Sequence, residues 1–277
     1  MRLRIGTRSS TLALVQADII ASAVKKSMPD AEIIIVPITT SGDKNLSPFS
    51  SDPKGIKGLF TQEIENSLRN GEIDLAVHSL KDLPVNISSD LPIVAYSKRD
   101  DPRDVLVSTK NISVIGTSSS RRRAQVERLY PDAKILPVRG NIETRIRKLD
   151  NGEFDALILS AAGLKRLGLS RRITKFFTVD EIIPAPAQGI IACQGREGEN
   201  YCYLEEVDNK ISRLSAIAER SFSRTLGAGC NIPAGAYAEI DGDTLTLRGF
   251  FGRSAVMSGK VSEAESIGRK LAEALLS

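Results

Sequence analysis

Residues 3–10 read LRIGTRSS, and residues 114–123 read VIGTSSSRRR. In both segments a hydrophobic run that predicts a β-strand ends in glycine and threonine, and serines and arginines follow. Serine and threonine are favoured at the start of a helix, where exposed backbone N–H groups attract anions. We expect the glycine to let the chain turn sharply after the strand. The pattern therefore predicts two strand-turn-helix units, each with an anion-binding turn.

The similarity between the two halves continues beyond these turns. The strand-like run IIIVPI at 33–38 corresponds to AKILPV at 133–138, and residues 64–79 correspond to residues 146–160. Self-similarity over this length is typical of a duplicated structural unit. The sequence therefore predicts two copies of a strand, helix, strand, helix, strand unit.

The first copy is longer than the second. The offset between copies falls from 110 residues at Gly6 and Gly116 to 81 residues at Asn70 and Asn151, so the first copy carries about 29 extra residues around 40–56. This stretch is rich in Ser, Pro, Gly and Lys, which predicts a mobile surface loop that could serve as a lid over a site.

Composition places the chain among soluble globular proteins. Its 277 residues are 41% hydrophobic and 26% charged, enough for two or three domains with real cores. The net charge of +4, the absence of Trp and an aromatic content of 5% favour acidic small molecules over nucleic acid as partners. We expect neither a secretory leader nor a membrane-spanning segment, and therefore a cytoplasmic protein.

Cysteine and histidine usage excludes several kinds of site. The three cysteines, Cys193, Cys202 and Cys230, are odd in number and lack metal-ligand spacing, which argues against a disulfide framework and a zinc site. The one histidine, His78, excludes a site built from several histidines. We therefore expect no metal.

The order of predicted elements indicates the fold. A polar stretch at 98–104 precedes the second copy, and IIPAPAQGIIAC at 182–193 has no counterpart in the first copy, so we expect the chain to cross to a second lobe and back. This predicts an α/β fold with two periplasmic-binding-protein-like lobes joined by a hinge, plus a small α+β C-terminal domain. The predicted ranges are 1–97 and 185–207 for lobe 1, 101–182 for lobe 2, and 209–277 for the C-terminal domain, which carries Cys230.

Arginines follow predicted strand ends or helix starts, where open α/β sheets bind ligands. Any one of them can be a solvated surface residue that forms only weak salt bridges. Their clustering at one edge instead indicates a ligand with several carboxylates, because their forked donors are dispersed over both lobes. The residues are Arg8, Arg121, Arg122, Arg123, Arg139, Arg145 and Arg166.

Three further residues are candidates for chemistry. Asp82, in VHSLKDLP at 77–84, follows a predicted strand and is a candidate acid or base, although an aspartate before Leu-Pro can equally be a turn residue. His78 reads as a packed or hydrogen-bonded orienting residue. Cys230 lies in a Gly-Ala-Gly-Cys loop, where a thiol could act as a nucleophile or an attachment point, whereas Cys193 lies in an apolar run and suits a buried filler.

Eight motifs occur in order along the chain: IGTRSSTLAL, GIKGLFTQE, DLAVHSLKDLP, GTSSSRRRAQ, VRGNIETRIRKLDNGEFDA, SAAGLKRLG, PAPAQG and GAGCNIPAGAYAE. In these motifs the sequence resembles the porphobilinogen deaminases, also called hydroxymethylbilane synthases, over essentially its whole length. The resemblance implies a transferase of tetrapyrrole and haem biosynthesis that joins four porphobilinogen molecules head to tail, releases ammonia at each step and gives hydroxymethylbilane. We expect porphobilinogen as its small-molecule partner, no nucleic-acid or membrane partner, and a monomer.

The resemblance also implies a cofactor and a set of site residues. A dipyrromethane made from two porphobilinogen units would be attached by a thioether to Cys230, would prime the chain and would stay when the product leaves. Asp82 matches the catalytic aspartate, which would protonate the departing amine and stabilise the cationic azafulvene electrophile. The implied cofactor-binding residues are Cys230, Lys57, Ser79, Lys81, Asp82, Thr117, Ser118, Ser119, Arg121, Arg122, Arg139 and Gly140. The implied substrate-binding residues are Arg8, Ser10, Arg145, Arg166 and Gln188.

Some features depart from the family pattern, and two other functions stay open. Gln62 stands where many relatives have lysine, Arg123 follows the usual arginine pair, and the C-terminal domain looks short. The first alternative is a non-catalytic two-lobed binding or sensor module for small polycarboxylate anions, because the same fold serves both functions. The second is nucleic-acid binding through residues 121–123, which the mild net charge and few aromatic residues disfavour.

Overall fold

The computed structural model describes residues 1–41, 61–109, 111–227 and 232–277. The chain divides into two compact units, residues 1–99 with 190–213 and residues 100–189 with 214–277. The loop predicted at 40–56 lies, from residue 42 onward, outside the described residues. No helix within the described ranges is both long enough and apolar enough to cross a membrane.

Among the described residues, helices and strands alternate up to residue 79 and again from 114 to 166, whereas four strands follow one another between 75 and 116. The elements are β1 (Arg2–Arg8), α1 (Thr11–Ser27), β2 (Glu32–Ile38), α2 (Gln62–Arg69), β3 (Leu75–Ser79), β4 (Ile93–Tyr96), β5 (Asp104–Ser108), β6 (Val114–Gly116), α3 (Ser120–Leu129), β7 (Lys134–Leu136), α4 (Ile142–Asp150), β8 (Ala156–Ser160), α5 (Ala161–Arg166), β9 (Lys175–Phe176), β10 (Ile191–Gln194), α6 (Lys210–Thr225), β11 (Ala234–Asp241), β12 (Thr244–Phe251), β13 (Arg253–Lys260) and α7 (Ala264–Leu276). Short 3-10 turns lie at Leu80–Asp82, Ser170–Arg172, Cys202–Leu204 and Val261–Glu263.

The sheet of the first unit has the strand order β2-β1-β3-β10-β4. Strand β1 runs parallel to β2 and β3, whereas β10 runs antiparallel to β3 and β4. Alternate side chains of β3 face opposite sides, because Val77 packs with α1 residues while Ala76 packs with Ile64 and Leu68 of α2. Strand β10, which begins within the stretch 182–193, therefore completes this sheet.

The second unit repeats this plan in the order β7-β6-β8-β5-β9, with β6 parallel to β7 and β8 and with β5 antiparallel to β8 and β9. In the first sheet, Ile5 pairs with Ile35 and Leu75. The corresponding triplet of the second sheet is the one that the repeat predicts: Ile115, Ile135 and Ala156. The duplicated unit is therefore confirmed at the level of strand register.

An equivalent aspartate fastens each copy. The carboxylate of Asp74, just before β3, accepts the backbone N–H of Arg4 at 2.8 Å. Just before β8, Asp155 accepts the backbone N–H of Val114, also at 2.8 Å. Both residues come from the Gly-Glu-X-Asp sequence shared by the copies, so the repeat preserves a structural contact as well as a hydrophobic pattern.

The glycines of the opening motifs serve packing rather than a turn. Gly6 lies inside β1, and a Cβ there would lie 2.3 Å from Cδ1 of Ile73. A Cβ on Gly116 would lie 2.7 Å from Cδ2 of Leu157 and 2.9 Å from Cδ1 of Phe154. The predicted sharp turn at Gly6 is wrong, because β1 continues to Arg8, and glycine is needed where side chains approach the strand closely.

The C-terminal part of the second unit forms a separate antiparallel sheet in the order β11-β12-β13. Its core includes Phe222 of α6, Leu245 and Leu247 of β12, and Leu271 of α7. The predicted fold class, two α/β lobes like those of periplasmic binding proteins followed by a small α+β domain, is confirmed by these topologies. A hinge between the lobes and their predicted boundaries stay predictions.

Candidate active site

The candidate acid lies directly after β3. The 3-10 turn that ends at Asp82 begins with Leu80, whose backbone N–H donates to the carbonyl of Ile190 at 3.0 Å. Before it, the Ser79 hydroxyl accepts a hydrogen bond from the Gln16 amide at 2.8 Å. The turn is therefore anchored at its start, while the Asp82 carboxyl group is exposed and Lys81 is half-buried. This geometry leaves Asp82 accessible to a ligand.

His78 lies two residues before this turn and is buried, with 5% of its surface exposed. Burial first, and the positive charge of Arg8 second, lower the pKa of its imidazole to about 4. Within the described part of the chain its Nε2 has no hydrogen-bond partner. The interpretation of His78 as a packed residue is confirmed, and the imidazole is neutral near pH 7.

The end of β1 brings two further predicted residues to the carboxyl edge of the first sheet. Arg8 is the last residue of β1 and is half-buried. Ser10 occupies the N-cap position of α1 in extended backbone conformation, but its side chain makes no capping hydrogen bond. Ser10 therefore occupies the predicted N-cap position of α1 without forming the capping hydrogen bond.

At the matching edge of the second sheet, the hydroxyl groups between β6 and α3 hold the loop together. The Ser119 hydroxyl accepts the backbone N–H of Arg122 at 3.4 Å and so caps α3. Thr117 accepts the N–H of Ser119 at 3.2 Å, and Ser118 donates to the carbonyl of Val138 at 2.7 Å. The predicted helix cap is confirmed in this copy, and the positive end of the α3 dipole faces the same edge.

Arg121 and Arg122 both turn towards a buried aspartate. Arg121 Nη1 lies 2.6 Å from Asp104 Oδ2, and Arg122 Nη2 lies 2.8 Å from Asp104 Oδ1. Gln188 Nε2 donates to the same carboxylate at 3.0 Å. Burial alone would raise the pKa of Asp104, but the two guanidinium groups outweigh it and hold the pKa well below its usual range.

The alternative of solvated surface residues does not apply to Arg121 and Arg122, because they are only 4% and 7% exposed. Two guanidinium groups face one carboxylate, so the cluster retains a net positive charge next to the start of α3. Asp104 was missed as a functional residue. The sequence does contain a sign of this role, because Asp104 is the first residue of the apolar run DVLVS at 104–108. A charged residue at the start of a buried strand needs a partner of opposite charge.

A second helix start follows β7. Gly140 has a φ of +105°, which glycine adopts without strain, and Asn141 caps α4 by accepting the N–H of Thr144 at 2.8 Å. Arg145 Nε donates to the Gly140 carbonyl at 2.8 Å. Arg139 is half-buried just before this turn. The predicted glycine-and-cap arrangement at 139–141 is confirmed.

Arg166 contacts the turn at residues 185–189, and Gln188 is part of that turn. Arg166 Nη2 donates to the Gly189 carbonyl at 2.6 Å, and its Nε lies 3.7 Å from Asp100 Oδ2. Burial lowers the pKa of Arg166, and Asp100 opposes that shift. Gln188 is 1% exposed and donates to the carbonyl of Pro102 at 2.7 Å as well as to Asp104.

Comparison with known proteins gives matches over nearly the whole chain. The family description "Porphobilinogen deaminase, dipyromethane cofactor binding domain" matches residues 3–203, and "Porphobilinogen deaminase, C-terminal domain" matches residues 213–277. The chain belongs to the porphobilinogen deaminase family. The porphobilinogen deaminase of Ruminiclostridium josui is 47% identical over 253 residues, covering 90% of this chain and 87% of that protein. That of Acetivibrio thermocellus is 45% identical over 288 residues, covering 100% and 98%.

Solved structures also resemble this member of the porphobilinogen deaminase family. The methionine-binding protein MetQ is 10% identical with a TM-score of 0.47, covering 74% of this chain and 88% of that chain. The BenM effector-binding domain, solved with benzoate, is 14% identical with a TM-score of 0.42 and the same coverage.

The described residues fit the dipyrromethane that the family's first domain binds. Its pyrrole rings carry carboxylate arms, which need cations and N–H donors, and pyrrole N–H groups, which need an acceptor. In the second unit, the capped starts of α3 and α4 and the arginines beside them suit carboxylate arms. In the first unit, the exposed Asp82 carboxylate can accept a pyrrole N–H.

Two residues predicted for the cofactor, Lys57 and Cys230, lie outside the described residues. Cys193 is fully buried, and this burial raises the pKa of its thiol. Its interpretation as an apolar filler is confirmed. Among the described residues we find no cluster of three or more His, Cys, Asp or Glu side chains that could hold a metal.

Proposed function

We propose that this chain is a hydroxymethylbilane synthase, a transferase that joins four porphobilinogen molecules head to tail with release of ammonia. The observation that carries the proposal is family membership across residues 3–203 and 213–277. It is supported by an exposed carboxylate, Asp82, that follows β3 on an anchored turn.

Asp82 is the proposed catalytic residue. Its carboxyl group holds and moves a proton at the aminomethyl nitrogen of porphobilinogen as the C–N bond breaks and ammonia leaves. The negative charge then stabilises the positive charge that develops on the pyrrole, and a carboxylate oxygen accepts the pyrrole N–H. After the new C–C bond forms, the Asp82 carboxylate takes up the proton released from the ring carbon, which regenerates the acid.

The acetate and propionate arms of substrate and product require cations. Arg8, Ser10, Arg145, Arg166 and Gln188 are the proposed substrate-binding residues. Helix starts capped by Ser119 and Asn141 add backbone N–H donors at the carboxyl edge of the second sheet. Forked guanidinium donors suit carboxylates better than lysine does, which supports arginine in these positions.

The dipyrromethane cofactor also carries acidic arms, so the residues that would hold it must likewise supply cations and N–H donors. The proposed set is Lys57, Ser79, Lys81, Asp82, Thr117, Ser118, Ser119, Arg121, Arg122, Arg139 and Gly140, with Cys230 as the attachment point. When bound, the dipyrromethane supplies the pyrrole ring to which the first substrate is joined. Arg121 and Arg122 contribute the net positive charge of their cluster with Asp104.

We further propose a cytoplasmic monomer that has neither nucleic-acid nor membrane partners. The direct test incubates purified protein with porphobilinogen and measures released ammonia and the tetrapyrrole product. We expect one ammonia for each porphobilinogen consumed. Tight binding without consumption would favour the sensor-module alternative instead.

A further inference from the structure

The turn at residues 185–189 contains a strained backbone conformation. Ala187 has a φ of +63°, the one positive φ of a non-glycine residue in the described ranges, and it is 1% exposed. A side chain disfavours this left-handed region, so such a residue persists only where its surroundings impose the conformation. Strain of this kind clusters at functional sites.

A buried glutamate holds the strained residue. Glu219 of α6 has no exposed surface, and its Oε2 accepts the backbone N–H of Ala187 at 2.6 Å. Its Oε1 accepts the backbone N–H of Ala238 in β11 at 2.7 Å. Charge-assisted hydrogen bonds of this length are strong, and one carboxylate therefore fixes the turn against the C-terminal sheet.

Gln188 and Gly189, which follow Ala187, connect the turn held by Glu219 to the proposed binding groups. Gln188, next to Ala187, donates to Asp104, which in turn holds Arg121 and Arg122. The next carbonyl, that of Gly189, accepts hydrogen bonds from Arg166 Nη2 at 2.6 Å and from the backbone N–H of Asp100 at 3.1 Å.

We propose that Glu219 is a positioning residue: its carboxylate imposes the left-handed conformation of Ala187, and the turn so formed keeps the Gln188 amide on Asp104 and places the Gly189 carbonyl that orients Arg166 for binding of the acidic arms of the substrate. This inference rests on the proposed function. Glu219 itself touches no substrate and acts through the 185–189 turn.

The test measures the effect of Glu219→Gln in the natural sequence and in an Ala187→Gly background. A glutamine amide can accept only one of the two N–H groups, so we expect KM for porphobilinogen to rise about tenfold in the natural sequence, with a smaller change in kcat. Because glycine adopts positive φ freely, we expect a rise of less than about twofold in the Ala187→Gly background. An unchanged KM in the natural sequence, or an equal rise in both backgrounds, would overturn the proposal.

Glu239→Gln is the matched control, because Glu239 lies in β11 with 59% of its side chain exposed. Hydrogen exchange of the peptide that contains Ala187 gives a readout independent of activity, and we expect faster exchange of the Ala187 amide in Glu219→Gln alone. If Glu219→Gln does not fold, Ala187→Val replaces it: KM should exceed that of Ala187→Gly, and equal values would overturn the proposal. Failure of both the natural protein and Glu239→Gln to consume porphobilinogen would instead refute the proposed function.

Discussion

Nη1 of Arg121 lies 2.6 Å from Oδ2 of Asp104, and neither side chain has more than 5% of its surface exposed. Arg122 binds the other oxygen of the same carboxylate. Two cations and one anion thus share a buried site, which makes the anion essential to the second unit. Removal of one partner from a buried ion pair leaves an uncompensated charge, and this costs far more than the loss of a surface pair.

We therefore predict that Asp104→Asn lowers the free energy of unfolding by about 3–5 kcal/mol. The matched control is Asp150→Asn, which removes a partner of Arg172 from a pair whose side chains are 35% and 47% exposed. We expect a loss of less than about 1 kcal/mol for the control. Urea unfolding of both variants measures the difference, and equal midpoints would contradict the role of Asp104.

The single histidine makes a pH prediction directly measurable. The folded pKa of His78, about 4, lies below its ordinary value of 6.5, so the unfolded chain binds a proton at a higher pH than the folded chain does. The stabilising contribution is complete above pH 6.5 and is lost as the pH falls towards 4, with a slope of about 1.4 kcal/mol per pH unit for this group.

An NMR titration of the imidazole C–H signals provides the test, because the sequence contains one histidine. We expect a midpoint near 4 in the folded protein. The His78→Gln variant should lose this component of the pH dependence of unfolding. A midpoint near the ordinary value would show that the imidazole is solvated.

Close packing at Gly6 predicts a coupled pair of substitutions. A Cβ at Gly6 would lie 2.3 Å from Cδ1 of Ile73, so Gly6→Ala overpacks the first unit and should cost about 1–3 kcal/mol. Ile73→Val removes that atom, and the double variant should lose less stability than the sum of the single variants. Thermal unfolding of the three variants measures the coupling, and simple additivity would argue against this contact.

Asp82→Asn tests the proposed acid. We expect turnover of porphobilinogen to fall by about 10²–10⁴-fold, the usual contribution of a general acid or base, while the protein keeps its covalently bound cofactor. Asp30→Asn, at an exposed loop position before β2, is the control and should keep full turnover. Ammonia release gives the rate and intact mass gives the cofactor content. An unchanged rate in Asp82→Asn would remove this residue from the chemistry.

The repeated part of the fold could be predicted from local sequence patterns. The offsets between the copies predicted which residues take equivalent positions in the strand pairing of each sheet, since hydrophobic alternation fixes strand register. The caps at Ser119 and Asn141 were also readable, because a side chain bonds the backbone only a few residues away.

Contacts between distant residues were not readable. Arg121 lies 17 residues from Asp104, and the sequence gives no sign that the two guanidinium groups turn inward. The positive φ of Ala187 was equally hidden, because alanine rarely adopts it and the carboxylate that imposes it lies 32 residues away. Gly6 was misread as a turn, since packing against Ile73 depends on tertiary structure.

We propose that this chain carries a covalent oligopyrrole on Cys230 and extends it. The most direct measurement is the intact mass of the denatured protein, purified from cells that make porphobilinogen, followed by mass mapping of the peptide that contains Cys230. We predict an excess mass of two pyrrole units on that peptide and none in Cys230→Ala. An unmodified Cys230 peptide, together with failure to consume porphobilinogen, would contradict the claim.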